Sequence, residues 1–204
     1  MKAILKNQLR QLNYEDPEEA LKKLFAPLHL FTLATPASDK LRDWRHHKLR
    51  KYAESEQAAW LAYALKSAGL KPGLKYAHYP KTDRDFDAAV RWGEPSALEF
   101  ATVQLKEVVR SELNLAANLQ TEIDKFQRYN GAEELIGAVF VNRDLMLDLS
   151  ALRVPHLKLR ELWICGFAIS GEVRVELYGD FLRAPRHYSV PLPDFRWRER
   201  ADRV

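Results

Sequence analysis

The sequence predicts an α/β protein in which a mixed central sheet is flanked by helices. Three observations predict it: helical apolar spacing before residue 69, strand patterns between residues 74 and 109, and a nearly continuous apolar run, Leu135–Asn142, that follows another helical stretch. This alternation is typical of a sheet covered by helices. N-terminal helices and C-terminal strands are expected as additions. At 204 residues the chain is long enough for one or two domains.

Residues 1–38 are predicted to form a helical appendage. Apolar residues recur at helical spacing within residues 1–13. Asp16 is typical of an N-cap, and Pro17 suits the first position of the helix that follows. The stretch Ala34–Asp39 contains Pro36 and Ser38 and predicts a loop, which places the boundary at residue 38.

The predicted core spans residues 39–145 and begins with a helix. The helical pattern extends from about Arg42 to Ala68, and Gly69 with Pro72 beyond it indicates where the helix ends. A short strand, Leu74–Tyr79, is expected next.

A β-hairpin is expected after this strand. Asp85–Trp92 alternates apolar and polar residues, which predicts a strand with one apolar face. Gly93–Ala97 has turn chemistry, and Leu98–Val109 is a second run of strand-forming residues. The two strands should therefore pair.

The second half of the chain continues the same pattern. A long helix is predicted from about Ser111 to Tyr129, and the apolar run Leu135–Asn142 suits a central strand covered on both faces. Residues 146–204 are interpreted as an extension of the core with a basic tail. It would hold a short helix or loop at Leu149–Leu159 and strands at Leu162–Ser170 and Glu172–Tyr178.

Composition excludes several classes of protein. The single cysteine, Cys165, rules out an internal disulfide framework and a cysteine-rich zinc module. Charges interrupt every apolar run before the ~20 residues of a membrane span, and no secretory signal is recognisable. We therefore expect a cytoplasmic protein that does not associate with membranes.

Basic residues cluster although the net charge is only +4. Lys40–Lys51 holds six basic residues and one aspartate, and the tail from Arg183 carries six arginines. Either stretch could follow a phosphate backbone, or could be a solvated surface. The residues expected to contact nucleic acid are Arg45, Lys48, Arg50 and Lys51. The His46–His47 pair is a weak metal signal, because neighbouring side chains on a helix diverge by about 100°.

The hairpin carries the residues with the clearest chemical potential. Gln104 and Lys106 lie two apart on the second strand and so share a face, as Asp85 and Asp87 do at the start of the first strand. In the predicted hairpin these positions come roughly opposite each other. Oxygen ligands beside a lysine are what Mg²⁺-assisted phosphodiester cleavage needs. The alternative is an ordinary acid at a strand end and a solvated face of an edge strand.

This arrangement resembles the PD-(D/E)xK nuclease superfamily. Asp87, sixteen intervening residues and then Gln104-x-Lys106 stand within an α-β-β-β-α-β order, over about residues 50–142. The resemblance implies a restriction-endonuclease-like core and a bound Mg²⁺ or Mn²⁺. The chain departs from the family pattern at Phe86, where the family has proline, and at Gln104, where it has an acid.

The resemblance also implies roles for individual residues. Asp87 would be the main metal ligand and Gln104 the second, and Lys106 would position the attacking water. In many members the helix before the hairpin presents a glutamate to the metal, for which Glu56 is the candidate here; it could equally be a surface residue. Asp85 is a further candidate ligand.

The expected function is that of a metal-dependent nuclease. DNA is the expected substrate, RNA is the second candidate, and pairing into a homodimer would fit relatives that cut both strands. The alternative is a nuclease-derived module that binds nucleic acid or a protein partner without chemistry.

Overall fold

The computed structural model describes residues 3–24, 50–78, 86–129, 132–143, 148–170 and 172–193. Over these residues the chain forms a seven-stranded mixed sheet with helices against both faces, and the strands lie side by side in chain order. The coarse prediction of an α/β protein with a mixed sheet is confirmed. The seven strands are β1 Lys75–His78, β2 Ala88–Trp92, β3 Glu99–Val108, β4 Leu135–Val141, β5 Glu161–Ser170, β6 Glu172–Gly179 and β7 Arg186–Pro191.

The helices surround this sheet. They are α1 Ala3–Arg10, α2 over residues 17–24, α3 Arg50–Ser67 and α4 Leu119–Asp124, with 3₁₀ turns at Lys125–Tyr129 and Leu149–Ala151. The first three strands pair antiparallel, β4 is parallel to β3, and β5 is parallel to β4. The last three strands pair antiparallel. The order of α3, three antiparallel strands, α4 and a parallel strand is the one read from the sequence.

Strand alternation divides the core between the two faces of the sheet. On β3, Ala101, Val103 and Leu105 pack into the cluster that also contains the buried side of α3. Val108 and the alternate residues of β4 pack instead against α4 and the 3₁₀ turn behind it. Every residue of β4 is buried, which confirms that this strand is covered on both faces. We call these two surfaces the α3 face and the α4 face.

The N-terminal helices pack on the sheet. Leu9 of α1 contacts Ala89 and Phe100 on the α4 face, whereas Ala20 and Leu21 of α2 join the core on the α3 face. Between them, the backbone of Glu15 pairs with Tyr76 on the outer side of β1. The predicted N-cap is present, since Asp16 accepts a hydrogen bond from the Glu18 amide at 3.0 Å.

The hairpin turn explains one glycine. Gly93 has φ +94°, a conformation that favours glycine, and a Cβ there would approach the Ala97 carbonyl oxygen to 2.8 Å. The turn closes with a hydrogen bond from the Ala97 amide to the Glu94 carbonyl at 2.8 Å. The predicted hairpin is therefore formed, although β2 begins at Ala88 rather than Asp85.

The predicted helix from Ser111 to Tyr129 is wrong in its first half. Residues 111–118 form turns, α4 begins only at Leu119, and Leu115 is 83% exposed. Two asparagines account for this, because Asn114 accepts from the Ala116 amide and Asn118 accepts from the Thr121 amide as the N-cap of α4. Short polar side chains that bond the local backbone compete with helix formation.

The C-terminal region holds a strand that the sequence did not reveal. β7 lies in the stretch interpreted as the start of a basic tail, and it pairs along β6. Its only fully buried residue is Val190, so it lacks a clear apolar face in the sequence. Leu149–Leu159, predicted as a short helix or loop, is a 3₁₀ turn followed by irregular chain.

Candidate active site

The register of the hairpin brings Asp87, Gln104 and Lys106 to one face of the sheet. Ala88 lies opposite Val103, and the Asp87 amide donates to the Val103 carbonyl at 2.8 Å. Ala88 and Val103 point to the α3 face, so Asp87 and Gln104, one position away on each strand, point to the α4 face. Lys106 follows two residues later on that face.

The carboxylate of Asp87 is held by two donors from β3. Its Oδ2 accepts from the amide nitrogen Nε2 of Gln104 at 2.5 Å and from the backbone amide of Leu105 at 2.7 Å. Hydrogen bonds to a carboxylate are about twice as strong as neutral ones. These contacts therefore fix the orientation of Asp87 against the second strand.

Both amide hydrogens of Gln104 are used. Besides Asp87, Nε2 donates to the Leu105 carbonyl at 3.2 Å, and the whole residue is only 6% exposed. The amide oxygen lies on the other side of the group and does not face Asp87. For Gln104 to act with Asp87 as an oxygen ligand, its amide would have to turn over.

Lys106 is a half-buried cation beside this pair. Desolvation lowers the pKa of its amine to about 8, and the attraction of Asp87 opposes that shift only in part. Its Nζ donates to the Leu105 carbonyl at 3.0 Å and lies 5.9 Å and 5.4 Å from the ring centroids of Phe126 and Tyr129. Both ring faces attract a cation. A substantial fraction of this lysine is consequently neutral near pH 8.

A glycine on β4 makes room for the ring of Phe126 beside Lys106. Gly137 lies opposite Gln104 in the β3–β4 register. A Cβ on Gly137 would meet the Phe126 ring at 2.8 Å, so only glycine allows the ring this close to the sheet. The 3₁₀ turn that carries Phe126 and Tyr129 was predicted only as part of a long helix, and its role beside Lys106 was not foreseen.

Glu56 lies on the opposite face. It is on α3, where it accepts a hydrogen bond from Trp60 Nε1 at 3.3 Å. Burial raises the pKa of its carboxyl group, and the negative charge of Glu107 raises it further. Glu107 follows Lys106 on β3 and so points to the α3 face, where Asn142 donates to it at 3.1 Å. Glu56 therefore lies near enough to Glu107 to feel its negative charge, and the sheet separates Glu56 from Asp87.

Several predicted residues fall outside what the structure describes. Asp85, Arg45, Lys48 and the His46–His47 pair lie in ranges without a description. Of Arg50 and Lys51 only the backbone is described, at the start of α3. Their predicted contacts with metal or nucleic acid remain predictions.

Few protein ligands for a divalent cation lie around Asp87. Across the described ranges, no three His, Cys, Asp or Glu side chains come together. Mg²⁺ is commonly held by one or two carboxylates together with substrate phosphates. Asp87 provides one such carboxylate, and the Leu105 carbonyl oxygen and, after the amide turns over, the Gln104 oxygen are the further protein ligands available.

None of the helices in the described part of the chain combines the length and apolar composition needed to cross a membrane.

No protein-family model, curated protein or solved structure matches this chain. Its function is therefore argued from its own residues.

Proposed function

We propose that this protein is a metal-dependent nuclease with a restriction-endonuclease-like core, acting on DNA. One observation carries the proposal: Asp87, Gln104 and Lys106 meet on one face of the β2–β3 hairpin, with Asp87 bonded to Gln104 at 2.5 Å and attracted to the Lys106 amine. The order of elements around the hairpin supports it, since it matches the order expected of PD-(D/E)xK nucleases.

The chemistry assigns a role to each residue. Hydrolysis adds water to phosphorus and breaks one P–O ester bond, so a proton leaves the water and another reaches the departing oxygen. A bound Mg²⁺ or Mn²⁺ would supply Lewis acidity toward the phosphate. Asp87 would hold that cation, and Gln104 would contribute its oxygen once the amide has turned over. Lys106 orients the water and offsets the charge that grows on the phosphate oxygens.

A cleavage assay tests this proposal. Single- and double-stranded DNA and RNA are incubated with the wild type in Mg²⁺, in Mn²⁺ and in EDTA. We expect metal-dependent cleavage of DNA, and a loss of at least about 100-fold in Lys106→Met and Asp87→Asn. Lys158→Met removes an exposed lysine from the loop before β5 and should keep full activity. No cleavage of any substrate with either metal would contradict the proposal.

One observation favours a second candidate, a binding module that performs no chemistry. The Gln104 amide satisfies Asp87 directly, so this pair is stable without a cation. Calorimetry distinguishes the two functions. A nuclease should bind Mn²⁺ at a site that Asp87→Asn removes, whereas a binding module should hold nucleic acid equally well in EDTA and in metal and should leave it uncut.

A further inference from the structure

A cavity of about 480 Å³ lies at the turn end of the β2–β3 hairpin, away from Asp87. Three basic side chains line it: Lys6, Arg10 and Arg91. Among the described lining residues there is no carboxylate; the others come from residues 95–98 and Phe100. A concave surface with three cations and no acid fits an anion.

Packing fixes the helix that carries two of the three cations. Leu9 seats α1 on Ala89 and Phe100, and this fixes the helix across the hairpin. Lys6 and Arg10 are four residues apart on α1, so they lie on the same side of the helix. Like charges at this spacing oppose helix formation, and an anion bound between them would relieve the repulsion.

Arg91 projects from the sheet toward the same cavity. Its guanidinium lies over the ring of Tyr14, 4.8 Å from the centroid, and its position on β2 is opposite Phe100. This contact with the ring restricts the guanidinium, whose N–H donors point outward within its own plane. Arginine donors match two oxygens of a phosphate group at once.

The cavity and the candidate active site share one face of the sheet. Arg91, Ala89 and Asp87 alternate with residues of β2 that point to the α3 face, so all three project to the α4 face. Arg91 lies four positions after Asp87 in extended chain, a Cα–Cα distance of about 13 Å. One strand of duplex DNA rises by about 3.4 Å per nucleotide along the axis while it winds around that axis, so phosphates a few nucleotides apart on one strand span this distance.

We infer that the Lys6–Arg10–Arg91 cavity binds a backbone phosphate of the nucleic acid, a few nucleotides from the phosphodiester at Asp87. The identity of the ligand as nucleic acid rests on the proposed function. The binding of a phosphodiester does not, because it needs neither the metal nor Lys106. The cavity would hold the strand in register while the bond beside Asp87 is presented for cleavage.

The test measures binding without cleavage. Fluorescence anisotropy of a short labelled DNA duplex is recorded in EDTA over a series of salt concentrations. The double variant Arg10→Gln/Arg91→Gln should bind at least about fivefold more weakly, and its slope of log K against log salt should be shallower by about one unit. Circular dichroism checks that the variant is folded.

Two further variants make the result specific. Arg10→Lys/Arg91→Lys keeps the charges and should retain the wild-type slope. Arg153→Gln removes an exposed arginine that does not line the cavity, and should change neither affinity nor slope. Equal slopes and affinities for the wild type and the glutamine variant overturn the inference, even where inorganic phosphate alone raises the melting temperature of the wild type. If duplex binding falls as expected but the wild type cuts nothing, the nuclease proposal fails and the phosphate site stands.

Discussion

The amide nitrogen of Gln104 lies 2.5 Å from the carboxylate oxygen Oδ2 of Asp87, across the two strands of the β2–β3 hairpin. With a glutamate at position 104, two carboxylates would face each other here, and a cation or a proton would be needed between them. The amide replaces that cation with a hydrogen bond. Under the proposed function, metal binding at this site would require the Gln104 amide to turn over.

The substitution Gln104→Glu tests this coupling. Without metal, the new carboxylate should repel Asp87 and lower the free energy of unfolding by about 1–3 kcal/mol. With Mn²⁺ or Mg²⁺ the two carboxylates share the cation, so the variant should regain stability and bind metal more tightly than the wild type. Thermal unfolding with and without metal measures the stability, and calorimetry measures the affinity.

Gln104→Met is the control for lost hydrogen bonding. It removes the donor to Asp87 without adding charge, so it should be destabilised to a similar extent with and without metal. A Gln104→Glu protein whose stability does not respond to either cation would contradict a metal site at Asp87.

The choice of metal follows from the same pair. Gln104 is a neutral ligand, and Mg²⁺ requires near-ideal octahedral geometry and gives up its waters reluctantly. Mn²⁺ should therefore support faster cleavage than Mg²⁺ in the wild type, and Gln104→Glu should reduce that difference. Cleavage rates of one duplex over a range of each metal concentration measure the effect. Equal rates in both metals would mean that Gln104 does not coordinate.

The half-buried amine of Lys106 should reduce the free energy of unfolding in a pH-dependent way. Its pKa is lowered to about 8 from 10.5, so between these pH values the unfolded chain binds more protons than the folded protein, and this lysine makes stability rise with pH. Below pH 8 the lysine is charged in both states, and the full penalty for burying that charge lowers the free energy of unfolding. Lys106→Met should therefore raise the free energy of unfolding at neutral pH by about 1–3 kcal/mol, and the gain should shrink toward pH 10.5. Urea unfolding of both proteins across this pH range provides the measurement, and a pH-independent difference would contradict the shift.

The hairpin site could be predicted because strand alternation has an exact period of two. Once Asp85–Trp92 and Leu98–Val109 were paired through the Gly93 turn, the faces of Asp87, Gln104 and Lys106 followed. Ala88 and Val103 anchor this register on the α3 face. The sequence could not show that the Gln104 amide would bond to Asp87, since that depends on side-chain torsions.

The position of Glu56 could not be predicted because α3 gives little directional signal. All residues from Ala58 to Leu65 are buried, so the apolar pattern does not identify one face. β7 also lacks an apolar pattern that identifies a buried face, in this case because most of its residues are exposed. In segment 111–118 two signals compete. The apolar spacing of Leu115 and Leu119 favours a helix, but the side chains of Asn114 and Asn118 bond the local backbone and prevent it.

Removing one partner of a buried ion pair that the sequence did not reveal should cost stability. Lys71 Nζ lies 2.6 Å from Glu161 Oε1, both side chains are less than 9% exposed, and the Trp163 indole donates to the other oxygen of Glu161 at 2.8 Å. The lysine also lies 4.1 Å from the Trp92 ring centroid. Lys71→Met would leave the buried Glu161 with the longer contact to Arg160 Nε, at 3.9 Å, as its charge partner, and should cost about 3–5 kcal/mol.

A second substitution separates lost charge pairing from lost packing. In Lys71→Met/Glu161→Gln no charge is buried, and the glutamine oxygen can still accept from Trp163. This double variant should recover about 1–4 kcal/mol relative to Lys71→Met. Urea unfolding of the two single variants, the double variant and the wild type completes the cycle. Additive effects would show that the two side chains do not interact.

The basic cluster Lys40–Lys51 leads into α3 and carries a net charge of +5. If it follows a phosphate backbone, each contact releases a condensed counterion, with a slope of about −0.9 per phosphate on duplex DNA. Replacing Arg45, Lys48 and Lys51 with alanine should then flatten the slope by about two or three units, more than the loss of the single phosphate contact expected at the Arg91 cavity. Folding should be nearly unaffected, since lysine and arginine are rarely fully buried and substitutions of exposed residues usually cost about 0.5 kcal/mol or less. The measurement is a salt titration of the wild type and the triple variant on one duplex; equal slopes would mean that these residues form a solvated surface and that nucleic acid, if bound, is held elsewhere on the molecule.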